Sequence, residues 1–193
     1  MARRASPISM EYVILALLGE EPMHGYELHH RVSDMPGINR IWSIKQALFY
    51  SKLEKLEENG FIEQVHPHLD EDEVAPGRVV FQLTAQGKES LSDWVSTPVT
   101  KARDIRQAFL AKLIIAQRYG QDQALELIQK QRQISQGWYD HLVSDLPEVS
   151  TREMSDLIVH TYRLYRDRAT LHWLDYLEGQ IQKSAEETLP PEE

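Results

Sequence analysis

A chain of 193 residues, 41% hydrophobic and 26% charged, is long enough for one sizeable core or two small domains, which excludes wholesale disorder. It has no cysteine, which excludes disulfides and thiolate metal sites and fits a reducing cytoplasm. The formal net charge is −9, with 9 Lys and Arg against 15 Asp and Glu in residues 1–99 and 12 against 15 in 100–193, so any nucleic acid must be met through a local surface and with strong salt dependence.

From the N-terminus, Arg3 and Arg4 precede Pro7 and Glu11 without the pattern of a signal peptide. Ser9 is a candidate N-cap for a helix whose apolar residues Met10, Val13, Ile14, Leu17 and Leu18 recur at three and four, up to Gly19. Its apolar run Tyr12–Leu18 is too short to cross a bilayer, so no membrane partner is expected and, with no cysteine, a cytoplasmic location is expected. A second helix is predicted over His24–Val32, with Tyr26 and Leu28 inward, and Met35-Pro36-Gly37 forms a turn. A third helix is predicted from Ser43 to Asn59, closed by Gly60. Strands follow at Phe61–Val65 and Arg78–Leu83, separated by a polar loop, and Thr84 caps a helix reaching Val95.

The second half reads as helix throughout. Ile105, Ala108, Phe109, Leu113 and Ala116 form one stripe. Ala124, Ile128, Gln131, Ser135, Trp138 and Leu142 alternate steps of four and three, a packing seam. After a break at Pro147 and a cap at Ser150 or Thr151, a long helix is expected to about Ala185, spanning roughly 50 Å. Its wide apolar stripe needs a partner, and a second copy of the chain suits it better than the chain's own helices alone. The element order predicts a mainly α protein: a winged helix-turn-helix with a two-stranded wing over 1–98, an all-α dimerisation domain over 99–186 and a disordered tail over 187–193. Phe109, Leu113, Leu157, Leu164, Leu171, Leu174 and Leu177 are the candidate dimerisation residues.

The third helix carries the functional signal. Phe49, Leu53 and Leu56 form its inward stripe, with Leu48 on the flank. The opposite face has Gln46, Ala47, Tyr50 and Ser51 first and Glu54, Glu57 and Glu58 last. Neutral hydrogen-bonding residues at the start and acids at the far end suit a helix that enters the major groove of double-stranded DNA N-terminus first. Tyr50, Gln46 and Ser51 are therefore candidate DNA contacts, as are Lys45, Lys55 and Arg78 at the base of the wing. Lys52 projects close to the apolar stripe and is expected to pack or snorkel. Asp70-Glu71-Asp72-Glu73 in the wing loop is an odd sequence for a surface that meets phosphate.

These segments resemble the PadR family of bacterial transcription regulators. The resemblance lies in Ile14-Leu15-Ala16-Leu17-Leu18 ahead of Pro22-Met23-His24-Gly25-Tyr26-Glu27-Leu28, in Trp42-Ser43, in Phe49–Ile62 and in Gly77-Arg78 followed by Phe81-Gln82-Leu83-Thr84-Ala85-Gln86-Gly87. Phe109-Leu110-Ala111-Lys112-Leu113 and Tyr176-Leu177-Glu178 resemble, more loosely, the AphA-like helical domain of the longer members. The resemblance implies a homodimer joined through its C-terminal helices, presenting two winged helices to a palindromic operator. It also puts the family's recognition tyrosine at Tyr50. Lys52 and the acidic wing depart from the pattern.

The sequence offers no enzyme and no cofactor. It lacks a glycine-rich phosphate loop and a motif-embedded serine; His66 and His68 in the wing loop could ligate a metal together with nearby acids, but without cysteines or a downstream partner plain loop residues are the favoured reading. A repressor is the favoured reading; the alternative is a winged-helix adaptor that binds protein instead of DNA, supported by the acidity. Trp94, Trp138, Tyr162 and Trp173 are candidates for the pocket of a small aromatic effector, against the plainer role of core aromatics.

Overall fold

A computed structural model describes residues 9–65, 79–149 and 153–188. Arg3, Arg4, the loop with Asp70–Glu73, Arg78, both wing-loop histidines, Ser150, Thr151 and residues 189–193 of the expected tail lie outside them; 187 and 188 belong to the last helix. Contacts divide the chain into two compact units. One holds the chain up to Val95 with Arg106–Ile115, and the other holds Ser96–Ile105 with the chain from Ala116 on.

In the first unit, α1 (Ser9–Glu20) is its most buried helix. The expected stripe is covered, and so are Tyr12, Leu15, Ala16 and Glu11. A short strand β1 (Met23–His24), not foreseen, leads into α2 (Gly25–Asp34), and α3 (Ile38–Ile41) adds one turn after Gly37. Gly37 has φ 84°, a conformation that favours glycine, and a Cβ there would meet Ile114 at 2.8 Å. Helix α4 covers Gln46–Glu58. It starts three residues later than Ser43 promised: Trp42 and Lys45 are extended, and His29 Nε2 donates to the Ile44 carbonyl at 3.4 Å. The end of α4 follows the sequence closely. Gly60 has φ 76°, its N–H donates to the Glu57 carbonyl at 2.8 Å, and the Phe61 N–H donates to that of Leu56 at 2.9 Å, a Schellman cap.

Strands β2 (Ile62–Val65) and β3 (Val80–Leu83) pair antiparallel, Ile62 opposite Leu83 and Val65 opposite Val80. Strand β1 adds to the other edge of β3, giving the order β1-β3-β2. Helix α5 (Ala85–Ser96) starts at Thr84, whose Oγ1 accepts from the Gly87 N–H at 3.1 Å and donates to the Gly60 carbonyl at 2.7 Å. A Cβ at Gly87 would sit 2.1 Å from the Phe61 carbonyl oxygen, so only glycine lets α5 lie this close to the end of α4. Trp94 of α5 stacks on Tyr12 at 4.6 Å, and Lys112 Nζ stands 4.5 Å from the centre of the Trp94 ring while donating to the Trp94 carbonyl.

In the second unit, α7 (Gln121–Val149) and α8 (Met154–Thr188) pack along their length. They run antiparallel: Gln129 and Arg132 bond Glu178, and His160 Nε2 bonds the Leu142 carbonyl at 2.7 Å. Helix α7 continues through Pro147, whose missing N–H costs one bond near the helix end, so the break falls after Val149. The predicted seam is buried at Ala124, Ile128, Gln131, Ser135 and Leu142. Its polar members are satisfied. Gln131 accepts from the Val99 N–H at 2.8 Å and donates to the Val99 carbonyl at 3.2 Å. A 3-10 turn at Ala102–Asp104, a π turn at Ile105–Phe109 and α6 (Leu110–Tyr119) follow α5 in the chain.

Candidate nucleic-acid interface

Phe49, Leu53 and Leu56 anchor α4 in the first unit, all nearly fully buried. That leaves the face with Lys45, Gln46, Ala47 and Lys55 exposed and Tyr50 and Ser51 half-buried. No side chain caps the α4 N-terminus, and its first turn holds no acid. Its leading N–H groups and the positive end of the helix dipole are therefore open to an anion. Leu48, expected beside the buried stripe, is 55% exposed on this same surface. It lies one position before Phe49, about 100° around the helix, and the core covers only the Phe49 line.

Tyr50 is held in place. Its ring meets Phe49 edge-on at 6.0 Å, and a Cβ at Gly25 would come within 3.0 Å of Tyr50 Cε1. Gly25 thus admits the tyrosine ring against the start of α2. Tyr26, expected inward, is 63% exposed and packs on His30 at 4.4 Å. It is two residues from the buried Leu28, and positions two apart on a helix face opposite ways. Tyr26, Glu27, Tyr50, Glu54 and Glu57 line a recess of about 600 Å³. Glu54 and Glu57 make the far half of α4 acidic on this side, and Glu27 of α2 pairs with Arg31 at 2.7 Å.

Lys52 is withdrawn from this surface. Its Nζ lies 3.2 Å from Glu11 Oε1, in a pair that α1 and α4 cover almost completely. The sequence reading gave Lys52 its inward lean but missed Glu11, because nothing in the spacing of α1 marks a buried acid. Among the described residues no group of three or more His, Asp or Glu is placed to hold a metal ion, and no described helix is long and apolar enough to cross a membrane.

The other predicted residues fall in both units. Phe109 and Leu113 are buried. Leu171 and Leu174 are buried in the helix pair of the second unit, and Leu157, Leu164 and Leu177 are half-buried. Trp94 is occupied by Tyr12 and Lys112 in the first unit. Trp138 and Trp173 are half-buried in the second, where Tyr162 is exposed. The sequence reading did not separate out Ile158, Tyr165 and Tyr176, which lie with Tyr162 and Ala169 on the exposed side of α8 at steps of four, three, four and seven. Their period is visible in the sequence, but which side α7 covers is not.

Helices α2 and α4, with the single turn of α3 between them, and the antiparallel pair β2 and β3 form the arrangement of a winged helix-turn-helix. Residues 14–93 match the profile of the "Transcriptional regulator PadR-like family". Over 183 residues it is 24% identical to the negative transcriptional regulator PadR of Bacillus subtilis, covering 90% of this chain and 98% of that one. The crystal structure of Bacillus subtilis PadR in complex with operator DNA is similar with a TM-score of 0.43 and 22% identity, covering 91% of this chain and 99% of that one. The Vibrio cholerae virulence activator AphA gives a TM-score of 0.38 and 18% identity, with 91% and 99% covered.

Proposed function

We propose that this regulator is a cytoplasmic repressor that binds a palindromic operator as a homodimer and is released by a small aromatic effector. The observation that carries the DNA reading is the uncapped, acid-free start of α4 with Gln46, Tyr50 and Ser51 on its open face. Gln46 suits adenine, Tyr50 and Ser51 suit phosphate or base edges, and the exposed Leu48 suits a thymine methyl. Lys45 and Lys55 add phosphate contacts on the same helix, and Arg78 joins them from its place in the sequence at the base of the wing. The exposed side of α8 supports the homodimer, since an apolar stripe of that length is costly to leave in water. Repression draws on the curated relative, which is a negative regulator.

The test is fluorescence anisotropy with the chain's own upstream DNA and a random duplex, across a salt series. The reading expects preference for one palindrome whose half-sites lie about one helical turn (~34 Å) apart, and a steep loss of affinity with salt. Equal binding of both duplexes, or none at low salt, would overturn it and favour the adaptor.

A further inference from the structure

The second unit holds a cationic recess that DNA reading does not use. Lys101 and Arg103 from the segment before α6, Trp138 from α7, and Arg163, Arg166 and Asp167 from α8 line a space of about 440 Å³. Four cations around one recess are a local exception in a chain of net charge −9. They are not equivalent. Asp167 is 2% exposed, and its Oδ1 accepts from both Nε and Nη2 of Arg166 at 2.7 Å. A buried carboxylate therefore fixes the Arg166 guanidinium at the wall, which an ordinary solvated surface arginine lacks. Arg103 is 3.8 Å from Asp104. The side chains of Lys101 and Arg163 make no hydrogen bond or ion pair among the described residues.

After those two pairings, the recess keeps two uncompensated positive charges beside an indole. A single carboxylate would neutralise one of them. A phosphate monoester carries about −1.5 to −2 at neutral pH and matches both. Trp138 supplies a flat apolar wall on which a planar ring can stack, and the space suits a small molecule.

We propose that this recess binds a planar phosphomonoester of the nucleoside monophosphate class, with its phosphate between Lys101 and Arg163 beside the fixed Arg166, and its ring system on Trp138. The site deepens the effector reading above and rests on it for any consequence at the operator; binding itself is separable from that consequence.

The test is isothermal titration of the full chain with adenosine and guanosine 5′-monophosphate, adenosine, inorganic phosphate and benzoate. At least one monophosphate should bind with a Kd below ~1 mM and at least about tenfold tighter than adenosine, phosphate or benzoate. Lys101→Ala and Arg163→Ala, at exposed positions, should each weaken it about tenfold with an unchanged melting temperature. Trp138→Phe should retain binding, while Trp138→Leu weakens it. No saturable binding up to ~10 mM would overturn the site, as would binding indifferent to both cation variants. Benzoate binding as tightly would overturn the phosphate requirement, and displacement by a random duplex would assign the recess to the DNA backbone instead. A monophosphate that binds as expected but leaves the operator complex intact would uphold the site and contradict only the effector reading.

Discussion

Lys52 of α4 and Glu11 of α1 form an ion pair at 3.2 Å with side chains only 12% and 11% exposed. The pair ties α4 to α1 and uses up a lysine that charge alone would assign to DNA. Lys52→Met leaves a covered carboxylate without its cation and should cost about 3 kcal/mol of stability. Adding Glu11→Gln should recover most of that loss, and operator affinity of the folded variants should stay within about twofold. Urea denaturation with anisotropy on the same samples checks both. A large affinity loss at unchanged stability would put Lys52 back on the DNA surface.

Lys112 makes stability depend on alkaline pH. Burial under the Trp94 ring pushes its ammonium down to about 8 from an ordinary value near 10.5. Between those values the unfolded chain holds a proton that the folded chain has released, so this group's contribution to stability rises with pH across the window. Below pH 8 its burial penalty is present in full. Lys112→Met keeps the packed stem without the charge. The variant should melt higher than the parent at pH 7, and the gap should shrink steadily from pH 8 to 10. Parallel melting curves over that range would show that Lys112 does not titrate as its burial requires.

The two sides of α8 should respond differently to substitution. Leu174 is fully buried in the helix pair, so Leu174→Ala should lower stability by about 3 kcal/mol. Ile158 and Tyr165 are exposed, and Ile158→Glu with Tyr165→Glu should leave helicity and melting of the protomer nearly unchanged. Sedimentation should then give the mass of a single chain, with weakened operator binding, since two linked half-sites reinforce each other. A double variant that sediments as the parent does would remove this side of α8 from the dimer contact.

The order of elements was legible because each carries a local signal. Gly60 marks the end of α4, Thr84 the start of α5, and the three-four period the seam of α7. What stayed hidden depends on tertiary contact. Strand β1 is two residues long and exists only because β3 is there to pair with it. The contact of His29 with the Ile44 carbonyl, just ahead of α4, also crosses between helices. In the interface the split of α4 into a neutral start and an acidic end was readable, as was the inward lean of Lys52. The outward turn of Tyr26, the exposure of Leu48 and the partner of Lys52 were not, because each is decided by which neighbour covers that side of the helix. The two sides of α8 merged into one broad stripe for the same reason.

The most direct test of the account is a set of operator affinities for variants along α4, measured by anisotropy at one salt concentration. If reading is concentrated in the first two turns, Gln46→Ala and Tyr50→Ala should each lose about tenfold or more, roughly 1.4 kcal/mol. Glu54→Gln and Glu58→Gln should bind as well as the parent or slightly better, having shed negative charge near the backbone. Alanine variants within about twofold of the parent, or glutamine variants that lose as much as Tyr50→Ala, would contradict it.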